Sequence, residues 1–349
     1  MTDLLSMTLP ELAGLMERLG EKPYRARQIY EWLHRHLAGS PDAMNNIPAS
    51  LKEKLKAEVS CDPPEIAALQ VSALDGTRKY LFRFPDGCCA ESVWMQYHHG
   101  NTVCISSQVG CRMGCSFCAS TLLGLTRNLT AGEMLAQVYS IQRDTGERVS
   151  NVVVMGTGEP LDNYDALVRF LRMISDGNGL NISERNLTVS TCGLVPQIRK
   201  LRDEHLMINL ALSLHAPNDG LRRKLMSIAK RYSIKEVLDA MAYYYEGSRR
   251  RLTFEYSLIS GVNDTDACAK ELAALLGGMN CLVNLIPVNP VAETGYLETK
   301  PADTAEFKKK LENNRIHVTI RREMGRDIDG ACGQLRKRFA EGAGSEQQA

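Results

Sequence analysis

The sequence predicts an α/β protein, a full or partial (β/α) barrel with a small helical domain at its N-terminus. Three observations predict it. From Val103 onward, short β-branched apolar runs alternate with amphipathic helical stretches, the pattern of right-handed βαβ crossovers and a parallel sheet. The first sixty residues instead repeat apolar side chains at helical spacing. Between the two regions lies a two-strand signal around the turn PDGCC. An open, doubly wound sheet is the alternative arrangement of the same units.

Each element has its own justification. In PYRARQIYEWLHRHL, Pro23 suits the first position of a helix, and Ile29, Trp32, Leu33 and Leu37 recur at helical spacing. Arg25, Arg27 and Arg35 are left to the polar side. Pro48 and Pro63-Pro64 punctuate this unit, giving an accessory helical domain over 1–65. TRKYLFRF and ESVWMQY read as a β-hairpin laid against the main domain, within an extension over 66–102. The core domain then runs over 103–340, with a flexible tail over 341–349. Its strand-like runs are VCISSQ (103–108), NVVVMG (151–156), NLTVST (186–191), INLALSLH (208–215), LTFEYSLI (252–259), CLVNLIPV (281–288) and HVTIRRE (317–323). The helical stretches between them include TAGEMLAQVYSIQRD, NYDALVRFLRMIS, SIKEVLDAMAYYYEG and TAEFKKKLENN.

Composition narrows the class. With 349 residues, 24% charged and 44% hydrophobic, the chain reads as a soluble globular protein with a large core. No apolar run approaches the roughly eighteen residues of a membrane span, and MTDLLSMTLPELAGLM lacks the basic start of a signal peptide. A cytoplasmic location, no membrane association and a monomer are expected. In that compartment eleven cysteines point to metal binding, catalysis or buried thiols rather than to disulfides. Net charge is +1, but Arg199 to Arg251 holds twelve Lys/Arg against six Asp/Glu, and Lys300 to Arg338 eleven against six. Such local basic surfaces suit a polyanion, although charge runs are usually solvated helix faces.

Polar residues recur at the ends of successive strands. Gly156-Thr157-Gly158-Glu159 follows the second run, Ser190 and Thr191 end the third, Ser213 and His215 the fourth, and Asn289 follows the sixth. In a parallel barrel these ends share the face on which active sites are built. The stretch CISSQVGCRMGCSFCAS adds Cys111, Cys115 and Cys118 in a C-x3-C-x2-C spacing, with Cys104 seven residues upstream. Inert core cysteines are disfavoured by the neighbouring Gly110 and Gly114. Structural zinc wants four ligands, and no second CxxC appears. Three thiolates suit a [4Fe–4S] cluster with one open iron; all three readings stand at this level, and the cluster fits the spacing best.

The motifs SSQVGCRMGCSFCAS, GLTRNLTAGEM, GTGEPLDNYD, STCGLVP, SLHAPND, LIPVNP and DIDGACGQL, running in order from about Glu91 to Leu335, resemble the RlmN/Cfr family of radical-SAM RNA methyltransferases, on its RlmN side. The resemblance implies a radical-SAM (β/α) partial barrel. It implies that Cys111, Cys115 and Cys118 ligate a [4Fe–4S] cluster whose open iron chelates S-adenosylmethionine (SAM). An electron from the cluster then generates a 5′-deoxyadenosyl radical, chemistry the cofactor carries while the protein orients it. SAM contacts are implied for Glu159, Pro160, Ser190, Ser213, Leu214, His215 and Asn289, the same strand ends found above. The glycines flanking Thr157 would admit backbone close to SAM, or simply make a tight turn.

By the same resemblance, the target is the electron-poor C2 of an adenine, which is no nucleophile toward SAM. Cys332 would become an S-methylcysteine whose carbon adds to the ring. Cys104 would release the resulting protein–RNA adduct by forming a disulfide with Cys332, and Glu91 would accept the C2 proton. The implied substrates are 23S rRNA near the peptidyl transferase centre and an anticodon-loop adenosine of tRNA, with a low-potential electron donor such as flavodoxin or ferredoxin. The chain departs from the family's Gly-Met-Gly-Glu-Pro turn by carrying Thr157, while Pro160 favours C2 over C8 modification. Two alternatives are a Cfr-like C8 methyltransferase conferring antibiotic resistance and a non-catalytic, metal-containing RNA-binding protein.

Overall fold

A computed structural model describes residues 2–60, 62–288, 294–328, 333 and 335. The N-terminal unit comprises β1 (Thr2–Asp3), α1 (Leu9–Arg18), α2 (Tyr24–His34), α3 (Ala49–Glu58) and β2 (Val59–Ser60). Thr8 opens α1 with a reciprocal capping box to Glu11. Pro23 immediately precedes α2 with helical torsions. Ile29, Leu33 and Leu37 are buried beside Leu12, Leu15, Leu51 and Leu55, whereas Trp32 is half-buried and its indole N–H donates to Asn46.

Next come β3 (Glu65–Val71), β4 (Arg78–Arg83), β5 (Cys89–Met95) and β6 (Asn101–Ile105), then the short pair β7 (Gln108–Gly110) and β8 (Leu125–Asn128). The remaining chain alternates: α4 (Ala131–Thr145), β9 (Val149–Val154), α5 (Tyr164–Ser175), β10 (Leu187–Thr191), α6 (Val195–Asp203), β11 (Asn209–Ser213), α7 (Asp219–Leu225), α8 (Ile234–Ser248), β12 (Leu252–Leu258), α9 (Asp266–Leu276), β13 (Cys281–Pro287), α10 (Pro301–Asn313) and β14 (His317–Ile320).

Ten strands form one sheet in the order β14-β13-β12-β11-β10-β9-β6-β5-β4-β3. The run from β6 through β9 to β14 is parallel throughout. Its order never reverses, so it has no doubly wound switch point and winds as a barrel. β14 and β3 are the ends of the order, so the described strands make a partial barrel. The predicted hairpin of β4 and β5 is present, but it is hydrogen-bonded into this sheet rather than laid against it: β5 pairs antiparallel with both β4 and β6, and β3 adds a third strand. EIAALQV gave no strand signal because its apolar residues do not alternate, and β3 is exposed or half-buried along its length, as an edge strand is.

The N-terminal unit docks on the barrel through polar contacts around buried apolar residues. Asp3 accepts hydrogen bonds from Ser6 Oγ (2.6 Å) and Thr130 Oγ1 (2.8 Å), and Ser6 Oγ accepts from Gly132 N–H (2.7 Å) at the start of α4. Asp3 thereby places its carboxylate at the positive end of that helix. Deeper in the interface, His34 Nδ1 lies 3.0 Å from Tyr139 Oη, and Tyr30 Oη donates to Asp176. His34 is fully buried, and that burial pushes its pKa down from 6.5 to about 3. A pKa depressed by folding means that the unfolded chain binds the proton first. The stabilisation is complete above about 6.5 and is lost as pH falls from there toward about 3. His34→Gln is therefore expected to reduce the acid sensitivity of folding by up to about 1.4 kcal/mol per pH unit. Urea midpoints compared between about pH 7 and 5 test this, and parallel pH profiles for both proteins would refute it.

Candidate active site

The site grows from the C-terminal end of the parallel strands. Cys111 follows β7, and its backbone N–H donates to Gly124 O (3.0 Å). Cys118 N–H donates to Cys115 O (3.1 Å), and Thr121 Oγ1 donates to Cys118 O (2.9 Å), folding the loop into a tight turn. Ser116 N–H donates to Leu225 O at the end of α7 (2.9 Å), and Ser227 Oγ donates to Gly114 O (3.0 Å). The loop is thus seated on the segment after β11. Burial pushes the Cys111 thiol up to about 12 and raises Cys115 as well, with the neighbouring thiols and Glu159 adding to both shifts. Such thiols resist ionisation on their own but are relieved by a bound cation, because metal ligation needs the thiolate.

Among the described residues, no three His, Cys, Asp or Glu side chains are placed to hold a single metal ion. Cys192 is also buried in this region, and that burial, with Glu159 and Cys115 beside it, raises its thiol's pKa.

The turn after β9 is fixed by packing and hydrogen bonds. A Cβ on Gly156 would lie 2.7 Å from Ile105 O, and one on Gly158 (φ +111°) 2.6 Å from Gln108 Cβ. Both glycines are required by the close passage of the segment after β6. Thr157 O accepts from Ser107 and Gln108 N–H, and Thr157 N–H donates to Ser106 Oγ (3.0 Å). Glu159 is buried, its pKa raised by that burial. Its Oε2 accepts from Cys192 N–H (2.7 Å) and its Oε1 from Leu161 N–H (3.1 Å), tying the end of β9 to the end of β10. Pro160 is buried at the start of the following 3-10 turn.

Ser190, Ser213 and His215 line a cavity of about 470 Å³ inside the barrel, together with Cys104, Met155 and Glu255. His215 Nδ1 accepts from Ser257 N–H (2.9 Å), so the neutral ring carries its proton on Nε2. Burial and then Arg222 push its pKa down to about 3. Phe117, between two of the loop cysteines, packs edge-on against the His215 ring, with centroids 4.9 Å apart. Leu214 points into the core, leaving its backbone facing the neighbouring strand and Arg222. Arg222, fully buried, donates to the carbonyls of Cys192, Ser213 and Leu214, stitching two strand ends together.

On the other side of the cavity, Cys104 in β6 stands opposite Val93 in β5. Directly paired residues share a face, so Glu91, two residues along β5, is the diagonal neighbour of Cys104 at about 7–8 Å. Glu91 is buried and ion-paired with the equally buried Lys79 (3.1 Å). Its Oε2 also accepts from Gly333 N–H (2.7 Å). Two predicted site residues are therefore brought to one wall, beside the residue that follows Cys332 in the chain. Cys332 and Asn289 themselves lie outside the described residues.

A parallel partial barrel with a C-x3-C-x2-C loop seated over its C-terminal strand ends defines a radical-SAM enzyme, and residues 105–272 match the family model of the radical SAM superfamily. Residues 2–61 match that of the ribosomal RNA large subunit methyltransferase N-terminal domain. The chain belongs to the RlmN family within that superfamily. It is 58% identical, over 98% of its length and 97% of the relative's, to a probable dual-specificity RNA methyltransferase RlmN from Lachnospira eligens. A second relative of the same description, from Lachnoclostridium phytofermentans, is also 58% identical, over 97% of this chain and 95% of the relative. The crystal structure of a radical SAM methyltransferase from Sphaerobacter thermophilus superposes with a TM-score of 0.92 at 45% identity, covering 96% of this chain and 99% of that one. As a radical-SAM enzyme the chain uses a [4Fe–4S] cluster and SAM, and its three loop thiols are a donor set that fits the cluster.

Sequence reasoning missed Lys79, Gln108, Arg222 and Glu255. Lys79 carried a faint signal, as a lysine within the strand-like run TRKYLFRF; Glu255 carried a similar one, as the acid in LTFEYSLI. Gln108 and Arg222 act on backbone groups brought close only by folding. The Glu159 bridge generates a test. Glu159→Ala leaves two buried N–H groups without acceptors and is expected to cost roughly 1–3 kcal/mol each. Urea denaturation measures it, and an unchanged midpoint would show that other acceptors take over.

Proposed function

We propose that this chain methylates C2 of an adenosine in 23S rRNA, and of the anticodon-loop adenosine 3′ to the anticodon in tRNA. The observation that carries this reading is the full-length match to dual-specificity RNA methyltransferases, joined to a wall that holds Cys104, Glu91 and Gly333 together. The bound cluster supplies the electron that turns SAM into a source of a carbon-centred radical. Cys111, Cys115 and Cys118 hold the cluster. Glu159, Pro160, Ser190, Ser213, Leu214, His215 and Asn289 position SAM, with the His215 Nε2–H as a donor into the cavity.

Cys332 would carry the methyl group to the base, its carbon first giving up one hydrogen atom to the SAM-derived radical so that it can bond to C2. Glu91 takes the C2 proton, a reading supported by its position in β5 two residues from Val93, the strand partner of Cys104. Cys104 then attacks the sulfur of Cys332 in the adduct. The S–S bond forms as the S–C bond breaks, and the released carbon takes up a proton. The adenine must leave its stack to reach this cavity. Basic stretches along the chain track the RNA backbone, so binding weakens steeply with salt. The working protein is a cytoplasmic monomer served by a low-potential donor such as flavodoxin or ferredoxin, and no helix among the described residues is long and apolar enough to cross a membrane.

Anaerobic reaction of the reconstituted enzyme with SAM, reductant and an rRNA fragment or tRNA is expected to yield 2-methyladenosine by nucleoside mass spectrometry. An 8-methyl product would reassign the chain to C8 chemistry, and absence of 5′-deoxyadenosine would leave only an RNA-binding role. Cys104→Ala is expected to accumulate a covalent protein–RNA adduct, whereas Cys332→Ala forms none. Normal methylation by both variants would overturn the thiol roles.

A further inference from the structure

The residues on either side of Cys332 are gripped by the antiparallel strands that precede the barrel. On the N-terminal side, Asp327 Oδ1 accepts from Ser72 Oγ (2.5 Å) and its Oδ2 from Ala73 N–H (2.7 Å), both in the turn between β3 and β4. Asp75 in the same turn accepts from Gly325 N–H (2.9 Å). On the C-terminal side, Gly333 N–H donates to Glu91, whose carboxylate is paired with Lys79. Gly333 has φ +83°, and a Cβ there would lie 3.0 Å from Ser120 N and 3.2 Å from Ala119 C. It is therefore wedged between Glu91 and the turn that follows Cys118.

We propose that these contacts form a two-point clasp that positions Cys332, with Ser72, Asp75, Asp327 and Lys79 as positioning residues for the reaction. The proposal rests on Cys332 being the methyl carrier. Asp327 and Gly333 stand five residues before and one residue after Cys332, so fixing both fixes the points from which the chain reaches it, and orientation of this kind carries much of the rate in a reaction between tethered groups. The contacts have no local origin: Ser72 and Asp327 are 255 residues apart in sequence. Lys79 acts one step further back. A fully buried ammonium beside Glu91 holds that carboxylate in place, and removing either partner of a buried pair leaves the other uncompensated.

The test uses the full-length, cluster-reconstituted enzyme and the exposed residue Asp327, whose replacement leaves the core intact. Asp327→Ala is expected to lower kcat for RNA methylation about 10- to 100-fold with KM unchanged. It should also slow formation of the Cys104–Cys332 disulfide driven by added diamide, which takes up the two electrons and two protons of the thiols. Cluster absorbance and melting temperature should stay as in the parent, and Asp327→Asn, which keeps one acceptor, should recover part of both rates. Parent-like kcat and disulfide rate in Asp327→Ala would overturn the clasp, as would a loss of activity that merely follows a loss of cluster or melting temperature. Cys332→Ala is run alongside: if inactive, the methyl-carrier reading stands and the clasp is judged alone; if active, that reading fails and the clasp fails with it.

Discussion

β6 is hydrogen-bonded in parallel to β9 on one edge and antiparallel to β5 on the other, and the positions of Cys104 and Glu91 both trace back to that double pairing. Its parallel edge starts the barrel and sets the height at which the turn after β9 passes beneath residues 105–108. Its antiparallel edge sets Cys104 against Val93 and so brings Glu91 onto the same face. A slip of one residue at this edge would turn Cys104 away from the cavity, because strand side chains alternate between faces. Gln137, reaching from α4, guards against such a slip: it accepts from Ser106 N–H and donates to Ser106 O just past the strand.

The strand ends solve a second problem, how to bury loop backbone next to a cavity. Each loop N–H or carbonyl taken from water needs a partner or costs free energy. Glu159 serves two N–H groups, Arg222 three carbonyls, and Gln108 accepts from Glu159 N–H while donating to Asn128 and Asp162. Buried charges used this way hold the loops in place, while Ser190, Ser213 and His215 face the cavity among its polar lining.

Much of this was legible in the sequence, for reasons that differ by residue. The parallel strands were visible because β-branched and other apolar residues run through them, and their polar ends marked the rim. The cysteine loop was visible because its ligands are local. Ser190, Ser213 and His215 do line one cavity, as their register implied. What the sequence could not show is long-range: that the hairpin enters the main sheet, that Lys79 lies beside Glu91, and that Gly156 and Gly158 are small because Ile105 and Gln108 pass against them. Glu91 illustrates the limit. Nothing in the residues around it in the sequence marks it as buried, and only the fold makes it an anchor for the Gly333 amide.

The strand order runs from β14 to β3 without joining its ends. Across that seam the connection is made by Ser72, Ala73 and Asp75 reaching to Gly325 and Asp327. A strand ladder resists parting along its whole length, whereas among the described residues this seam is fastened by three side-chain-mediated bonds. Local opening follows the weakest fastening, so among the described elements this side of the barrel, closed by side chains and not by a ladder, is the one expected to yield first.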